Sequence, residues 1–184
     1  MPPKTDLDLV EAFRSGDSSG FDELVRRYQE RVYWVARRVV GSHEDADDVV
    51  QDVFVRMFKA LKGFRGNSGF YTWLYRITMN VSLNAVRARR IKEFVRYDEM
   101  TDTGSEEVAS PDADVLREEY QTILERAIQR LPAKQKMVFI MRYYEEMPYE
   151  EMSHLLKKSV GGLKANYFHA LKKIQEYVRK EMGA

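Results

Sequence analysis

The residue types in this sequence favour binding over catalysis. Cys is absent from the 184 residues, which excludes disulfides, thiolate nucleophiles and Cys-ligated metals. The three His residues, His43, His154 and His169, lie far apart in the chain and lack the paired spacing of metal ligands. We therefore expect no catalytic residue, no metal and no cofactor. Any function must come from clusters of charged and aromatic side chains.

Charge is distributed unevenly along the chain, although the net charge is only +1. Residues 41–60 carry −3 and residues 61–92 carry +7, whereas residues 98–119 carry −8 and residues 152–180 carry +6. Only nearby Lys and Arg displace the counterions that condense on nucleic acid. The two basic segments therefore indicate two separate contacts with nucleic acid. Solvated helix surfaces are the alternative, and charge alone favours neither.

An acidic cluster lies in a segment of helical periodicity. Asp45, Asp48 and Asp52, which we call the acidic ridge, fall within about 60° of one another on a helical wheel. The opposite side carries a predicted apolar stripe, made of Val50, Phe54, Met57 and Leu61. Like charges at helical spacing repel one another, so a basic partner surface is a natural use for the ridge. Acidic stabilisation of a helix N-terminus is the competing explanation, and it accounts for Asp45 better than for Asp52.

Aromatic, cationic and other polar residues are mixed in the segment 64–76. They are Phe64, Arg65, Asn67, Ser68, Phe70, Tyr71, Trp73, Tyr75 and Arg76. Unstacked bases need an aromatic surface, worth about 1–3 kcal/mol per base, together with amide or hydroxyl groups that read base edges. The segment therefore predicts a site for single-stranded bases, although Trp73 is better explained as a core residue. The following helix continues a polar side that could follow a duplex backbone, with Asn80, Asn84, Arg87, Arg89 and Arg90.

A helix-turn-helix pattern lies near the C-terminus. Pro148 suits the first turn of one helix, and Ser159 is a good N-cap for the last helix, which begins at Val160. Its predicted outward face carries Gly161, Gly162, Lys164, Ala165, Phe168, His169, Lys172 and Lys173. Small residues in the first turn would let the helix approach the floor of a major groove, which indicates a recognition helix. An ordinary surface helix is the alternative, but two Gly would weaken it by about 1 kcal/mol each.

Apolar residues recur at helical spacing and strand signals are weak, so we predict an all-α protein. We expect a helical domain over residues 1–92, whose last helix ends near Arg90, and a second helical domain over residues 112–184. The acidic segment 93–111 lacks this periodicity and is predicted to be a flexible linker. Because there is no apolar run of about 18 residues and no secretory leader, we expect a cytoplasmic protein that does not insert into membranes.

In series, these motifs resemble those of the extracytoplasmic-function (ECF) sigma factors, the smallest class of bacterial transcription initiation subunits, and are most similar to the sigma E type. Residues 45–54, DADDVVQDVF, resemble the family's polymerase-binding motif. Residues 64–77, FRGNSGFYTWLYRI, resemble its −10 element reader. Residues 131–132, 149–152 and 159–164 resemble its −35 element reader. The match covers nearly the whole chain in the family's order.

The resemblance implies a promoter-specificity subunit with no catalytic activity of its own. Such a subunit binds core RNA polymerase and promoter DNA, helps to melt the DNA, is expected to be monomeric and usually has an anti-sigma factor. In the family the acidic linker threads toward the RNA exit path. Many relatives carry Arg or Lys where this chain has His169, and a hydroxyl or basic residue at Ala165 or Asn166.

Three groups of site residues follow from the motifs and the resemblance. Polymerase binding is expected at Asp45, Asp48, Gln51 and Asp52. Contacts with the −10 element are expected at Arg56, Phe64, Arg65, Asn67, Ser68, Phe70, Tyr71, Arg76, Asn80 and Asn84. Contacts with the −35 element are expected at Ser159, Gly161, Gly162, Lys164, Ala165, Phe168, His169 and Lys172.

A helix-turn-helix regulator that binds duplex DNA by itself is the alternative class. Such a regulator needs neither the acidic ridge nor an exposed aromatic and basic loop, and it usually needs dimer symmetry for affinity. The first domain therefore favours the sigma-factor interpretation. A helical adaptor that binds no DNA is disfavoured by the two basic segments and the recognition-helix pattern.

Overall fold

The computed structural model describes residues 3–97 and 113–183, with side chains at 3–89 and 119–183. Within these residues there are eight α-helices and no β-strand, which confirms the predicted all-α class. The chain divides into two compact units, Met1–Ala85 and Val86–Ala184. No helix in the described part of the chain is long and apolar enough to cross a membrane.

The first unit is built on four helices: α1 (Asp6–Arg14), α2 (Ser19–Val40), α3 (His43–Leu61) and α4 (Phe70–Tyr97), the last of which continues beyond the unit. The central helix α2 packs against both α1 and α3. The approach of α1 to α2 is close at Gly20, where an added Cβ would lie 2.3 Å from the carbonyl oxygen of Leu9. This packing therefore requires glycine at that position.

Local capping explains where α1 and α3 begin. Thr5 accepts a hydrogen bond from the backbone N–H of Asp8 at 3.2 Å, and the Asp8 carboxylate accepts one from the backbone N–H of Thr5 at 2.7 Å. Ser42 accepts a hydrogen bond from the backbone N–H of Asp45 at 3.2 Å. Both arrangements satisfy backbone donors that have no partner inside the helix. The helix before Ser42 ends at Gly41, which has a left-handed φ of 89°.

The predicted apolar stripe of α3 is shifted by one position in its first half. The residues that α3 buries are Ala46, Val49, Val53, Met57 and Leu61. Val50 and Phe54, which the wheel placed in the stripe, are partly exposed. The sequence offers two adjacent apolar columns, and packing in the folded unit selects the one that contains Val49 and Val53. Met57 and Leu61 are buried as predicted.

The fourth helix is longer than predicted. It ends at Tyr97 rather than near Arg90, so residues 93–97, the first part of the predicted linker, are helical. The physical reason is that residues 91–97, IKEFVRY, contain neither Gly nor Pro to stop the helix. The remainder of the predicted flexible linker, up to residue 111, lies outside the described residues. The domain boundaries at 92 and 112 stay predictions.

The second unit carries four further helices: α5 (Ala113–Arg130), α6 (Ala133–Tyr143), α7 (Tyr149–Leu156) and α8 (Val160–Glu181). The last helix packs against each of the other three. One cluster of buried residues joins α5, α6 and α8, and it contains Ala127, Ile128, Leu131, Phe139, Ala170 and Ile174. A short turn at residues 157–159 separates α7 from α8, with Lys157 in the left-handed conformation. This confirms the predicted helix-turn-helix arrangement.

Candidate functional site

The acidic ridge divides into a capping residue and an exposed pair. Asp45 is partly buried, and its carboxylate accepts a hydrogen bond from the Ser42 hydroxyl at 2.7 Å. This matches the explanation of Asp45 as a helix N-terminal residue. Asp48 and Asp52 are exposed, and Gln51 is exposed between them. Their spacing of three and four residues places these three side chains on one face of α3.

Asp52 is paired within its own helix. Its carboxylate lies 3.0 Å from Nη2 of Arg56, and both side chains are about half exposed. Exposed ion pairs of this kind contribute only about 0–1 kcal/mol, so a partner surface can compete for either residue. The residues expected to bind polymerase and those expected to bind the −10 element therefore meet at this pair.

Sequence reasoning missed one residue on this face. Val55 is 50% exposed and lies three residues beyond Asp52, on the same side of α3 as Gln51. An apolar side chain exposed beside acidic ones suits the centre of a protein interface, where apolar contacts are surrounded by polar groups. The signal was present in the sequence as an apolar residue on the polar side of the wheel.

Residues 62–69, which we call the α3–α4 loop, expose their polar side chains. Arg65, Asn67 and Ser68 are all exposed, as the −10 prediction requires. Gly66 has a left-handed φ of 70°, a conformation that turns the loop here and favours glycine. The loop therefore presents two cations, Lys62 and Arg65, together with one amide and one hydroxyl to solvent.

The two phenylalanines assigned to the −10 site are buried in this structure, so neither ring is exposed for stacking on a base. Phe64 and Phe70 are each only 5% exposed. Their ring centroids are 5.6 Å apart, and both rings pack against Trp73. Aromatic composition suits a base-stacking surface and a buried cluster equally, and in this fold the rings anchor the two ends of the loop. Trp73, expected in the core, is instead partly exposed.

Tyr71, the second residue of α4, has both an aromatic and a cationic neighbour. It is partly exposed, its ring stacks on Tyr28 at 5.7 Å, and the Arg31 guanidinium lies 3.5 Å from its centroid. Such a cation–π contact orients the ring. Along α4 beyond it, the predicted DNA-contacting residues Arg76, Asn80 and Asn84 are exposed at intervals of four. They form one polar stripe.

The last helix shows the predicted division into two faces. Leu163, Ala170 and Ile174 are buried. All the residues expected to contact the −35 element are exposed: Ser159, Gly161, Gly162, Lys164, Ala165, Phe168, His169 and Lys172. Phe168 is 64% exposed, and its ring contacts the His169 ring edge to face.

The first turn of α8 is fixed by its cap. The Ser159 hydroxyl accepts a hydrogen bond from the backbone N–H of Gly162 at 3.2 Å, and Asn166 donates to the carbonyl of Gly162 at 2.8 Å. A Cβ added at Gly161 would meet no atom within 4 Å, whereas one at Gly162 would lie 3.1 Å from the Ser159 hydroxyl. Gly161 therefore faces open space.

Tyr149, which precedes α8, contacts a basic side chain of that helix and also Arg142. The Tyr149 ring lies 5.7 Å from the Lys164 ammonium and 5.5 Å from the Arg142 guanidinium. Arg142 also donates to the carbonyl of Glu146 at 3.1 Å, which holds the turn before α7. Burial, with a further contribution from Tyr149, raises the pKa of the neighbouring Tyr167, so its hydroxyl stays neutral at physiological pH. Sequence reasoning did not assign Arg142 a role.

Comparisons with known proteins identify both units. Residues 24–91 match the family model of sigma-70 region 2, and residues 121–174 match that of sigma-70 region 4. The RNA polymerase sigma-H factor of Pseudomonas aeruginosa is 32% identical, over 96% of this chain and 95% of that protein. The ECF RNA polymerase sigma-E factor of Escherichia coli K12 is 34% identical, over 95% of each chain.

Solved structures agree on the fold. CnrH in complex with the cytosolic domain of CnrY matches with a TM-score of 0.67 at 23% identity, over 95% of this chain and 97% of that one. The sigma factor RpoE from Bartonella quintana, in complex with the anti-sigma factor NepR, matches with a TM-score of 0.65 at 19% identity, over 86% and 96% of the two chains.

The helical fold and the two matched regions define a bacterial sigma factor, the subunit that gives RNA polymerase its promoter specificity. Within that class, the chain belongs to the extracytoplasmic-function family. The resemblance drawn from the motifs is thereby confirmed. The alternative class, a helix-turn-helix regulator that binds duplex DNA by itself, would leave the match to sigma-70 region 2 unexplained.

Proposed function

We propose that this sigma factor docks on core RNA polymerase through Asp48, Gln51 and Asp52, captures a melted −10 base with the α3–α4 loop, and reads the −35 element with α8. The observation that carries the proposal is that every residue expected to contact the −35 element is exposed on α8 or at its cap, while the opposite face of the helix is buried. A helix that is polar and uncovered on one face has the form required to enter a major groove.

In the −10 site, the polar groups of the loop supply recognition of base edges. Asn67 offers an amide that can donate and accept, and Ser68 offers a hydroxyl. With Phe64 and Phe70 buried, the partly exposed rings of Tyr71 and Trp73 are the candidates for stacking on an extruded base. Arg65, one of the two exposed cations of the loop, is placed to contact phosphate.

Asn67→Ala is expected to slow promoter opening by about tenfold, the size of one lost hydrogen bond to a base edge, and to leave the closed complex unchanged. The reason is that the proposed contact forms only after a base leaves the stack. Permanganate reactivity of unpaired thymines measures opening in the reconstituted holoenzyme. Phe64 stays intact in this test, because truncating a buried Phe costs about 3–5 kcal/mol of stability.

Gln29→Ala is the matched control for Asn67→Ala, since Gln29 is an exposed amide on α2. We expect it to change neither opening nor binding. If Asn67→Ala instead weakens the closed complex and opening from the bound state is normal, the loop reads duplex DNA and the proposed base capture is wrong.

On α8, base reading and phosphate binding are assigned to different residues. His169 lies in the middle of the outward face, where a side chain can reach the groove floor. A neutral imidazole can donate one hydrogen bond and accept another, whereas Arg donates two to guanine. Lys172 lies at the margin and pairs weakly with Glu176 at 3.9 Å, so its ammonium can turn to a phosphate.

His169→Ala is expected to change which −35 base is preferred, because it removes a base-edge contact worth about 1–3 kcal/mol. Lys172→Ala should weaken binding to all promoters alike. It should also reduce the slope of the logarithm of the binding constant against the logarithm of the salt concentration by about one. Selection from a randomised −35 library by the holoenzyme separates the two effects, with Lys180→Ala as the control for charge. An identical consensus from wild type and His169→Ala would show that His169 does not read bases.

The remaining parts of the proposal concern catalysis, location and partners. We infer that the chain has no enzymatic activity, because its exposed functional groups form binding surfaces, and that it acts in the cytoplasm, where polymerase and chromosome lie. Two proteins of the same fold were solved with a bound protein, CnrH with CnrY and RpoE with the anti-sigma factor NepR. By extension, we propose that this sigma factor is monomeric and is regulated by an anti-sigma factor.

A further inference from the structure

The first helix contacts the start of the α3–α4 loop, although it precedes the residues that match region 2. Arg14, the last residue of α1, donates from Nε to the carbonyl of Lys62 at 3.1 Å and from Nη2 to the carbonyl of Phe64. Lys62 caps the end of α3, where helix carbonyls have no intrahelical partner. One guanidinium thus bridges two carbonyls at the point where the chain leaves α3.

The Arg14 side chain is itself held in place. Its Nη1 lies 3.2 Å from the Glu11 carboxylate, one turn earlier in α1, and the Arg14 side chain is about one-third exposed. A guanidinium presents its N–H groups in a fixed planar fork, so it can donate to two oxygens and a carboxylate together. Neither Lys nor Gln reproduces that geometry. The start of the α3–α4 loop is therefore bound by a guanidinium, the side-chain group whose geometry matches the two carbonyls there.

The end of the loop is connected to α1 through Tyr28. The Tyr28 hydroxyl donates to the Asp6 carboxylate, and Arg27 donates to the same carboxylate at 3.1 Å. The Tyr28 ring packs against Phe70 at 5.3 Å and stacks on Tyr71 at 5.7 Å. Burial and the bond to Asp6 raise the pKa of Tyr28 to about 12, so the hydroxyl keeps the proton that it donates.

We propose that α1 is a brace for base capture: Arg14 fixes the start of the α3–α4 loop and Asp6, acting through Tyr28, fixes its end. Arg14 and Tyr28 are thus positioning residues. A loop that is ordered before DNA arrives does not have to be ordered when the base is captured, so capture is faster and more selective. This inference rests on the proposed function of the loop in reading the −10 element.

Arg14→Gln tests the brace in the reconstituted holoenzyme, with a promoter that the wild-type holoenzyme has selected from a randomised library. We expect promoter opening to slow by about tenfold, because the charge-assisted hydrogen bonds at the start of the α3–α4 loop are lost. Discrimination against a single changed −10 base should fall as well, while closed-complex binding and affinity for core polymerase stay unchanged. Arg26→Gln is the matched control, since Arg26 is 74% exposed and pairs with Glu23 of its own helix.

Double variants separate positioning from general destabilisation. If Arg14 acts through the loop, the effect of Arg14→Gln on opening will be smaller in the Asn67→Ala background than in wild type. The proposed brace is wrong if Arg14→Gln has equal effects in both backgrounds. It is also wrong if Arg14→Gln changes neither promoter opening nor −10 discrimination. If Arg14→Gln does not fold, Tyr28→Phe decides, because it removes the bond to Asp6 and keeps the ring; normal opening and discrimination in that variant overturn the proposal.

The outcome for Asn67→Ala distinguishes this inference from the proposed function. If Asn67→Ala slows opening and Arg14→Gln does not, the loop captures a base and only the brace is wrong. If Asn67→Ala leaves opening unchanged, the proposed role of the loop is wrong and the brace falls with it. Circular dichroism and thermal melting of each variant confirm that the comparison is made between folded proteins.

Discussion

Asp48→Arg combined with Asp52→Arg is expected to abolish association with core RNA polymerase and to leave the helical fold intact. Both residues are exposed on α3, and neither belongs to the buried set that includes Val49, Val53 and Met57. Their replacement therefore removes no core contact. The expected loss is confined to the surface that we assign to polymerase.

The size of the effect follows from electrostatics. Each reversal changes the local charge by two, and juxtaposed like charges across an interface cost several kcal/mol. Reversal at Asp52 also puts two cations beside each other, since Asp52 is the partner of Arg56. That second cost is only a few tenths of a kcal/mol on an exposed helix, so the fold survives it. Co-purification with core polymerase and far-ultraviolet circular dichroism measure the two consequences.

A control with the same total charge change is available on α2. Asp22→Arg with Glu30→Arg alters two exposed acids by the same four charges, and Asp22 lies in the first turn of its helix, where acids are stabilising. This control is therefore expected to destabilise the fold at least as much as the Asp48 and Asp52 variant does. If both pairs weaken the complex equally, net charge rather than the ridge governs association. Normal association of the Asp48 and Asp52 variant would remove the docking assignment.

The second domain was the part of the fold that the sequence predicted best. In α8 one apolar stripe, with Leu163, Ala170 and Ile174, recurs at helical spacing and has no competing stripe beside it. Ser159 is a strong cap and does cap the helix. Pattern, cap and turn agree, so the sequence alone assigns the outward face residue by residue.

The errors in the first domain have a shared cause, which is that several arrangements satisfied the same local pattern. Two apolar columns in α3 fit the wheel, and only packing in the folded unit selects Val49 and Val53. Phe64 and Phe70 have the chemistry for stacking on a base and for filling a core. Composition cannot decide between these uses, because the choice depends on neighbours that are distant in sequence.

The contacts of Arg14 show more clearly what cannot be predicted from the sequence alone. Its guanidinium binds the backbone carbonyls of residues 62 and 64, which are 48 and 50 positions away. Backbone carbonyls are present at every residue, so no residue type or spacing in one sequence marks them as partners. Helical periodicity reports which face of α1 is buried, but Arg14 lies at the end of that helix and outside its apolar face. Positioning groups of this kind become visible only with the fold.

The other large effect is expected at Gly161, where stability and promoter binding should change in opposite directions. A side chain at this position meets no atom of the protein within 4 Å. Replacing glycine in a helix by alanine is stabilising by up to about 1 kcal/mol, so Gly161→Ala should raise the melting temperature. Gly161→Phe should also fold, because its ring would extend away from the protein.

That ring would stand on the face of α8 that we expect to enter the major groove. It would hold the helix away from the groove floor and remove several base contacts at about 1–3 kcal/mol each, so −35-dependent binding should fall by about a hundredfold. Gly161→Ala adds one methyl group and should cost far less. Gly162 is unsuitable for this test, since a Cβ there would crowd the capping hydroxyl of Ser159 at 3.1 Å.

Binding of the reconstituted holoenzyme to its selected promoter, compared with the same promoter carrying a scrambled −35 element, measures the effect of Gly161→Phe. Loss of discrimination between the two templates, with an unchanged or raised melting temperature, would place the first turn of α8 in the groove. Undiminished discrimination by a folded Gly161→Phe variant would mean that this turn stays outside the groove. In that case His169 and Lys172, about two and three turns further along the helix, would have to make the −35 contacts without a close approach at its N-terminus.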